Sequence, residues 1–228
     1  MRHELKHRIT YEDYLVIRTR LDKIADYDGH ADENGIYTIH SLYFDNISDK
    51  VFREKLNGTD LREKFRIRYY NDDTSYIRLE KKSKIHGLCD KKAVLIKKED
   101  VRKICSGDIG FLLQSGEPLL QELYAKMKYQ LLKPRCIVDY ERIPYIYKPG
   151  NVRVTFDRNI RTGLYHNKLF DRDFTTVPAE EGTIILEVKY DAFSTGNNRK
   201  SSQSIGQKDC GIQQVCGVQT IRMICLGR

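Results

Sequence analysis

The sequence contains no tryptophan, five prolines and no apolar run of the length that crosses a bilayer. A membrane-spanning helix needs at least about 18 consecutive apolar residues, so no membrane segment is predicted. Residues 1–20 are charged throughout and do not resemble a secretory signal peptide. We therefore expect a cytoplasmic protein whose thiols are kept reduced.

The sequence also lacks the common arrangements of metal-binding and nucleophilic side chains. None of the six cysteines is spaced as CxxC, which argues against a structural zinc site. The six histidines share no spacing with one another, and no Ser-His-Asp or Cys-His set is evident. Each histidine is expected to be a surface or structural residue. The pattern therefore gives no support for a covalent nucleophile or a histidine-based metal site.

Positive charge is what the chain has in excess. Lys and Arg number 40 against 32 Asp and Glu, which gives a net charge of +8. A basic balance favours an anionic partner: nucleic acid, anionic lipid or a phosphate-rich small molecule. The length of 228 residues fits one domain, since barrels of this size are common.

Alternating and helical patterns predict an α+β fold. Helix signals include Thr10 and Asp13, spaced as a capping box, before an apolar stripe. That stripe is Tyr14, Ile17, Leu21 and Ile24, and a second one is Leu120, Leu123, Met127 and Leu131. Strand patterns cover residues 2–9, 35–46, 61–71, 75–84, 87–96, 134–145, 151–164 and 183–193. The expected architecture is an antiparallel β-barrel with surrounding helices.

The polar faces of these strands are ionic to an unusual degree. Arg66 and Arg68 share one face of their strand, opposite Phe65, Ile67 and Tyr69. The same alternation groups Arg78 with Glu80 and Lys82, Tyr140 with Arg142, and Glu187 with Lys189. Taken singly, each residue fits a solvated surface. Together they would repel one another unless the face closes around a polyanion, so the pattern predicts a basic-lined barrel that binds a phosphate chain.

Motifs in this order resemble those of a known family, the VTC domain. The matching segments are RHELKHRI, SLYFDN, REKLNG, KFRIRYYN, LEKKSKIHGLCDKK, YERIPY, VRVTFDRNI and ILEVKYD. The VTC domain is the polyphosphate polymerase domain of the CYTH-like triphosphate tunnel superfamily, and the chain resembles its stand-alone bacterial form. The resemblance covers residues 1–193. It implies a tunnel barrel that transfers the ATP γ-phosphate to polyphosphate with Mn or Mg.

The resemblance also implies roles for individual residues. The basic residues matching catalytic tunnel positions are Lys6, Arg66, Arg68, Lys82, Lys91, Arg142 and Arg153. Tyr140, in the YxR motif, and Lys189 would contact the substrate. Glu187 in LEVK matches the metal-binding glutamate, and Glu80 and Glu4 fit further acids that assist with the metal. Lys84 falls where some relatives carry histidine, so no role is assigned to it.

Two other functions compete with the polymerase. A tunnel triphosphatase would usually begin with an ExExK pattern, whereas this chain begins HELKH, where only Glu4 fits. A non-catalytic module that binds polyphosphate or RNA is allowed by the net charge. However, the basic residues repeat at strand parity with acids among them, so nucleic acid is the weaker expectation. The expected partners are ATP and polyphosphate, and the sequence predicts no oligomeric state.

The pattern is lost after Phe193. Residues 194–228 match nothing in the family, which continues with LP, an amphipathic helix and FSKY, whose lysine lies in the tunnel. If one base is skipped after Phe193, permitted codons can read LPEIIGKAVSPSDRKTAAFSKYAACRRYG. We therefore interpret 194–228 as a frameshifted or disordered non-family tail, the alternative being a genuine divergent tail. The chain as written is expected to bind triphosphate poorly and to polymerise slowly or not at all.

Overall fold

The computed structural model describes residues 2–29, 31–85, 88–164, 169–171 and 175–191. Within these, two compact units are distinguished. The first is built from residues 2–37, 141–159 and 180–191, and the second from residues 38–140 and 160–179. The proposed boundary at Phe193 and the tail 194–228 lie outside the described residues. None of the helices in the described ranges is long and apolar enough to cross a bilayer.

The first unit is a sheet with one helix against it. Its elements are β1 (Arg2–Ile9), α1 (Tyr11–Leu21), β2 (Asp26–Tyr27) and β10 (Ile184–Asp191), with parts of β7 (Lys133–Tyr147) and β8 (Val152–Leu164). The strand order is β1-β10-β8-β7, and β10 pairs antiparallel with both β1 and β8. This register places Lys6 beside Glu187 and Glu187 beside Thr155.

Alternation divides that sheet into an apolar and an ionic face. Apolar residues such as Val154, Phe156 and Leu186 are buried against α1. The predicted capping box is present, since Asp13 N donates to Thr10 Oγ1 at 3.2 Å and Thr10 N donates to Asp13 Oδ2 at 3.4 Å. The expectation that Ile24 continues the helical stripe is wrong, because α1 ends at Leu21 and Ile24 is 41% exposed.

The second unit is a larger sheet covered by helices. Its strands are β3 (Tyr37–Asp45), β4 (Arg62–Tyr70), β5 (Asp73–Ile85), β6 (Leu88–Ile96) and β9 (Val177–Pro178), with the remainder of β7 and β8. Its helices are α2 (Lys50–Leu56), α3 (Lys98–Ser106), α4 (Gly110–Gln114) and α5 (Pro118–Tyr129). The strand order is β7-β3-β4-β5-β6, and β4 pairs antiparallel with β3 and β5.

Only one face of the second sheet belongs to the hydrophobic core. Phe65, Ile67 and Leu79 pack with apolar residues of the helices, among them Ile104 and Leu123. The predicted stripe of α5 holds except at Leu131, which follows the end of the helix and is 58% exposed. The predicted α+β class with antiparallel strands is confirmed, and the opposite face of the sheet is left to the charged residues.

Candidate functional site

The ionic face of the first unit is centred on a buried carboxylate, Glu187. Only 3% of this residue is exposed. The ammonium groups of Lys6 and Lys189 each lie 2.9 Å from one of its oxygens. Glu4 lies beside the same two lysines, 3.4 Å from Lys6 Nζ and 3.9 Å from Lys189 Nζ. Four predicted site residues are therefore brought into one cluster.

Charge within this cluster keeps Glu187 ionised. Burial raises the pKa of its carboxyl, but Lys6 and Lys189 outweigh burial and bring that pKa well below its usual range. The pKa of Lys6 is raised because Glu187 and Glu4 outweigh burial. The pKa of Lys189 is lowered because burial, together with the nearby Arg142 charge, outweighs the attraction of Glu187. Lys189 therefore holds its proton less tightly than an ordinary lysine.

Two predicted arginines of the first unit are held by acids that sequence reasoning missed. Arg142 donates two hydrogen bonds to Asp157, from Nε at 2.6 Å and from Nη2 at 2.7 Å. Arg153 Nη2 lies 2.8 Å from Asp28 and donates to Tyr37 Oη at 3.1 Å. Asp157 belongs to the quoted VRVTFD segment and shares strand parity with Arg153, which was a usable signal. Asp28 lies outside any strand pattern, so no sequence signal pointed to its role.

Asp157→Asn is expected to weaken phosphate binding about 10-fold, because Arg142 loses a bidentate charged partner and its fixed orientation. The measurement is the Kd for inorganic tripolyphosphate, with thermal unfolding checked in parallel. Glu141→Gln is the matched control, since Glu141 accepts from Arg158 Nε at 2.8 Å between the same two strands but at the opposite parity. Equal affinities for the two variants would contradict a positioning role for Asp157.

The ionic face of the second unit is organised around another buried carboxylate. Glu80 is 1% exposed and accepts from Arg66 Nε at 2.8 Å. Arg78 Nη2 and Lys91 Nζ lie 3.3 and 2.7 Å from its other oxygen. Burial raises the pKa of Glu80, but Arg66 and Lys91 outweigh burial and lower it to about 2. One negative charge thus faces three positive ones.

Arg68 is the most informative residue of this face. It is 4% exposed, and its guanidinium donates to Ser41 Oγ and to Tyr140 Oη, both at 2.9 Å. Both partners are neutral hydroxyl groups. Burying a charge is costly unless it is paired. Arg68 is therefore available to bind an anion, and none of the described protein residues supplies one.

Three lysines continue the second ionic face across neighbouring strands. Lys64 pairs in register with Lys82 on β5, and Lys82 pairs with Lys91 on β6. Lys82 and Lys91 were predicted as tunnel residues, whereas Lys64 was not. Lys84 pairs with Arg62 and Cys89 instead. The structure therefore places the predicted residues of this unit on one face, with Arg78 beside them as expected. It adds Lys64 and Tyr43, whose hydroxyl accepts from Arg66 Nη1.

Comparison with protein families identifies the chain. The family model of the VTC domain matches residues 1–208. The chain belongs to the VTC domain family. The predicted family is confirmed, and with it the triphosphate tunnel fold and a function connected with triphosphate-type substrates. The match continues beyond Phe193, the boundary inferred from the sequence motifs.

Solved structures similar to this VTC domain are distant. A candidate adenylate cyclase from Bacillus halodurans is 12% identical with a TM-score of 0.49, over 99% of this chain and 90% of the other. A candidate adenylyl cyclase from Hippeastrum, described as having a dominant triphosphatase activity, is 13% identical with a TM-score of 0.48, over 84% and 80%. A conserved Pyrococcus furiosus protein is 11% identical with a TM-score of 0.43, over 100% and 93%. A search of curated protein sequences found no match. Similarity at this level supports no argument about activity.

Two carboxylates of the VTC domain fit the divalent metal that its family implies. Glu4 and Glu187 lie around the same pair of ammonium groups. Mg²⁺ is commonly held by one or two carboxylates together with substrate phosphates, so this donor set is sufficient in kind. Among the described residues, no group of three or more potential metal ligands was found. Glu187 is engaged by two lysines, and Glu80 by two arginines and a lysine. The assignment of Glu187, Glu4 and Glu80 as metal ligands therefore stays a prediction.

Proposed function

We propose that this VTC domain transfers the γ-phosphate of ATP to a growing polyphosphate chain. The observation that carries the proposal is Arg68, a buried guanidinium whose described partners are neutral hydroxyl groups. Around it, a single buried carboxylate faces Arg66, Arg78 and Lys91. This surplus of forked donors suits the oxygens of a condensed phosphate.

The chemistry needs no protein nucleophile. Phosphoryl transfer depends on positioning the reactants and on neutralising charge over the transferred group. In the second unit, Arg66 and Arg68 would donate hydrogen bonds to phosphate oxygens. Further contacts would come from Lys82, Lys91 and Tyr140. In the first unit, phosphate would be bound by Lys6, Arg142, Arg153 and Lys189. Glu187 and Glu4 would hold Mn²⁺ or Mg²⁺, which would supply positive charge to neutralise the phosphates.

The state of the buried carboxylates favours transfer over hydrolysis. A general base that activates water works best with a pKa near the operating pH. Glu80 has a pKa lowered to about 2, and the pKa of Glu187 is lowered well below its usual range. Both are therefore weak bases tied to cations. A phosphate acceptor is already an anionic nucleophile and needs no such base, which supports a polymerase rather than a triphosphatase.

The experiment is product analysis with ATP and Mn²⁺. We expect ADP and long-chain polyphosphate from the purified chain, at a low rate if the tail impairs it. Arg68→Met is expected to lower the rate by about 10²–10³, the usual cost of a lost transition-state charge. ADP with free phosphate alone would instead indicate a triphosphatase. RNA binding with a steep salt dependence and no ATP turnover would indicate a binding module.

A further inference from the structure

Two hydrogen-bond donors on the ionic face of the second unit have no acceptor among the described residues. Tyr43 Oη accepts from Arg66 Nη1 at 3.1 Å, which leaves its own hydrogen free to donate. The Lys64 ammonium lies over the Tyr43 ring, 5.6 Å from its centroid. Within the described ranges, that cation–π contact is its one direct partner, so its N–H groups are unused.

Strand register places both residues beside the predicted phosphate-binding arginines. Tyr43 on β3 lies opposite Arg66 on β4, and Ser41 lies opposite Arg68. Lys64 is two positions before Arg66 on β4, on the same face and about 6.7 Å along the strand. It is also in line with Lys82 and Lys91. The pair therefore extends the row of phosphate-binding side chains by one position.

The charges around the pair favour an anion. Burial raises the pKa of Tyr43, but Arg66, Lys64 and Arg68 outweigh burial and lower it to about 8. The pKa of Lys64 is lowered by burial and by the neighbouring charges of Arg66 and Lys82. The lowered pKa of Tyr43 reports excess positive charge, whereas the lowered pKa of Lys64 reports burial first and the neighbouring cations second. A bound phosphate would relieve the excess positive charge and would accept from both groups.

A purely structural role explains less of what is seen. A cation–π contact would stabilise the two strands whether or not a ligand binds. It would not account for a phenol hydrogen without an acceptor, nor for a half-buried ammonium placed among other cations. Ion pairing with an acidic residue would satisfy Lys64, yet Glu80 is already shared by Arg66, Arg78 and Lys91.

We propose that Tyr43 and Lys64 form an additional phosphate subsite, next to Arg66, that holds one phosphate unit of an inorganic polyphosphate chain. The proposal rests on the proposed function only for its substrate class, a condensed phosphate. In the subsite, Tyr43 Oη donates one hydrogen bond and Lys64 Nζ supplies a charged one. Neither residue takes part in bond breaking.

The test is calorimetric binding of inorganic tripolyphosphate and of a longer polyphosphate to the full chain. Lys64→Met is expected to weaken binding of the longer chain about 10-fold, which corresponds to one charge-assisted hydrogen bond. Tyr43→Phe, which keeps the ring, is expected to weaken it about 5-fold. Lys64→Arg should retain most of the affinity. Lys92→Met is the matched control, because Lys92 is exposed on β6 at the opposite strand parity.

A second measurement is the pH dependence of polyphosphate binding. Affinity of the unaltered chain should fall as pH rises through about 8, because a Tyr43 phenolate has no proton to donate and repels phosphate. The charged groups facing Tyr43 are Arg66, Lys64 and Arg68, of which Lys64 also loses charge at high pH. Tyr43→Phe should flatten the part of the decline that belongs to the phenol.

The outcomes separate this subsite from the polymerase activity. If Lys64→Met and Tyr43→Phe bind polyphosphate as tightly as Lys92→Met, the subsite is overturned and the polymerase proposal is untouched. If they bind more weakly but the unaltered chain converts ATP to ADP and free phosphate alone, the subsite stands and the polymerase proposal falls. Failure of the unaltered chain to bind either probe overturns the subsite as well.

Discussion

Glu187→Gln is expected to lower both activity and stability more than any other single substitution in the first unit. The buried carboxylate lies 2.9 Å from both Lys6 and Lys189, and Arg142 Nη2 is 4.0 Å away. Removing the charge leaves these cations facing one another and removes the better-placed of two candidate metal ligands. Activity should fall by about 10²–10³. The free energy of unfolding should fall by about 2 kcal/mol, below the range for fully buried pairs because Lys6 is more than half exposed.

The same substitution should change how the free energy of unfolding depends on pH in the acidic range. A carboxyl whose pKa is lower in the folded than in the unfolded state stabilises the fold above its unfolded pKa. That stabilisation is present above the ordinary value of 4.5 and is lost as pH falls toward the lower folded pKa. The unaltered chain should therefore lose stability over this acidic range. The Glu187→Gln variant should lose less stability over the same acidic range.

Denaturant unfolding at several pH values, combined with the polymerase assay, measures both effects. Glu180→Gln is the matched control, because it removes the same charge from the same unit at an exposed ion pair with Arg8. Exposed pairs contribute roughly 0–1 kcal/mol, so this control should be nearly neutral. If Glu187→Gln proved as stable and as active as Glu180→Gln, the cluster would be neither a stabilising nor a functional centre.

The sequence was sufficient for the features that depend on strand alternation. Successive strand residues point to opposite faces, so the shared face of Arg66 and Arg68 followed from spacing alone. The pairing of Glu187 with Lys189 on one face followed in the same way. The structure places both groups as expected and shows what spacing could not, namely that the Glu187 and Glu80 carboxylates are almost fully buried.

Partners on neighbouring strands could not be obtained from alternation. The contacts between Arg142 and Asp157 and between Arg66 and Tyr43 depend on strand register, which long-range pairing decides. The predicted helix ends were also wrong. Ile24 and Leu131 continue the apolar spacing, but each helix ends before them. Local periodicity predicts which face a residue takes, but it does not determine where an element ends.

Restoring the second reading frame after Phe193 is expected to raise the polymerisation rate by about 10²–10³. In that frame the chain would regain LP, a helical segment and FSKY, whose lysine matches a tunnel position of the family. One charge that acts on the transition state is commonly worth this factor. The described ionic faces already contain the other predicted tunnel residues, so they should retain weak phosphate binding where turnover is slow.

Three chains decide the matter: the chain as written, the chain restored after Phe193, and a chain ending at Phe193. If residues 194–228 supply nothing to catalysis, the first and third should share a low rate, and only the restored chain should form polyphosphate rapidly. Replacing the restored FSKY lysine by methionine should return the rate to that low level, which separates its charge from the packing of the helix. A divergent but functional tail predicts the opposite order, with the written chain fastest. Sequencing the gene across the Phe193 codon provides an independent check, because DNA unable to spell the second frame would exclude the frameshift whatever the rates.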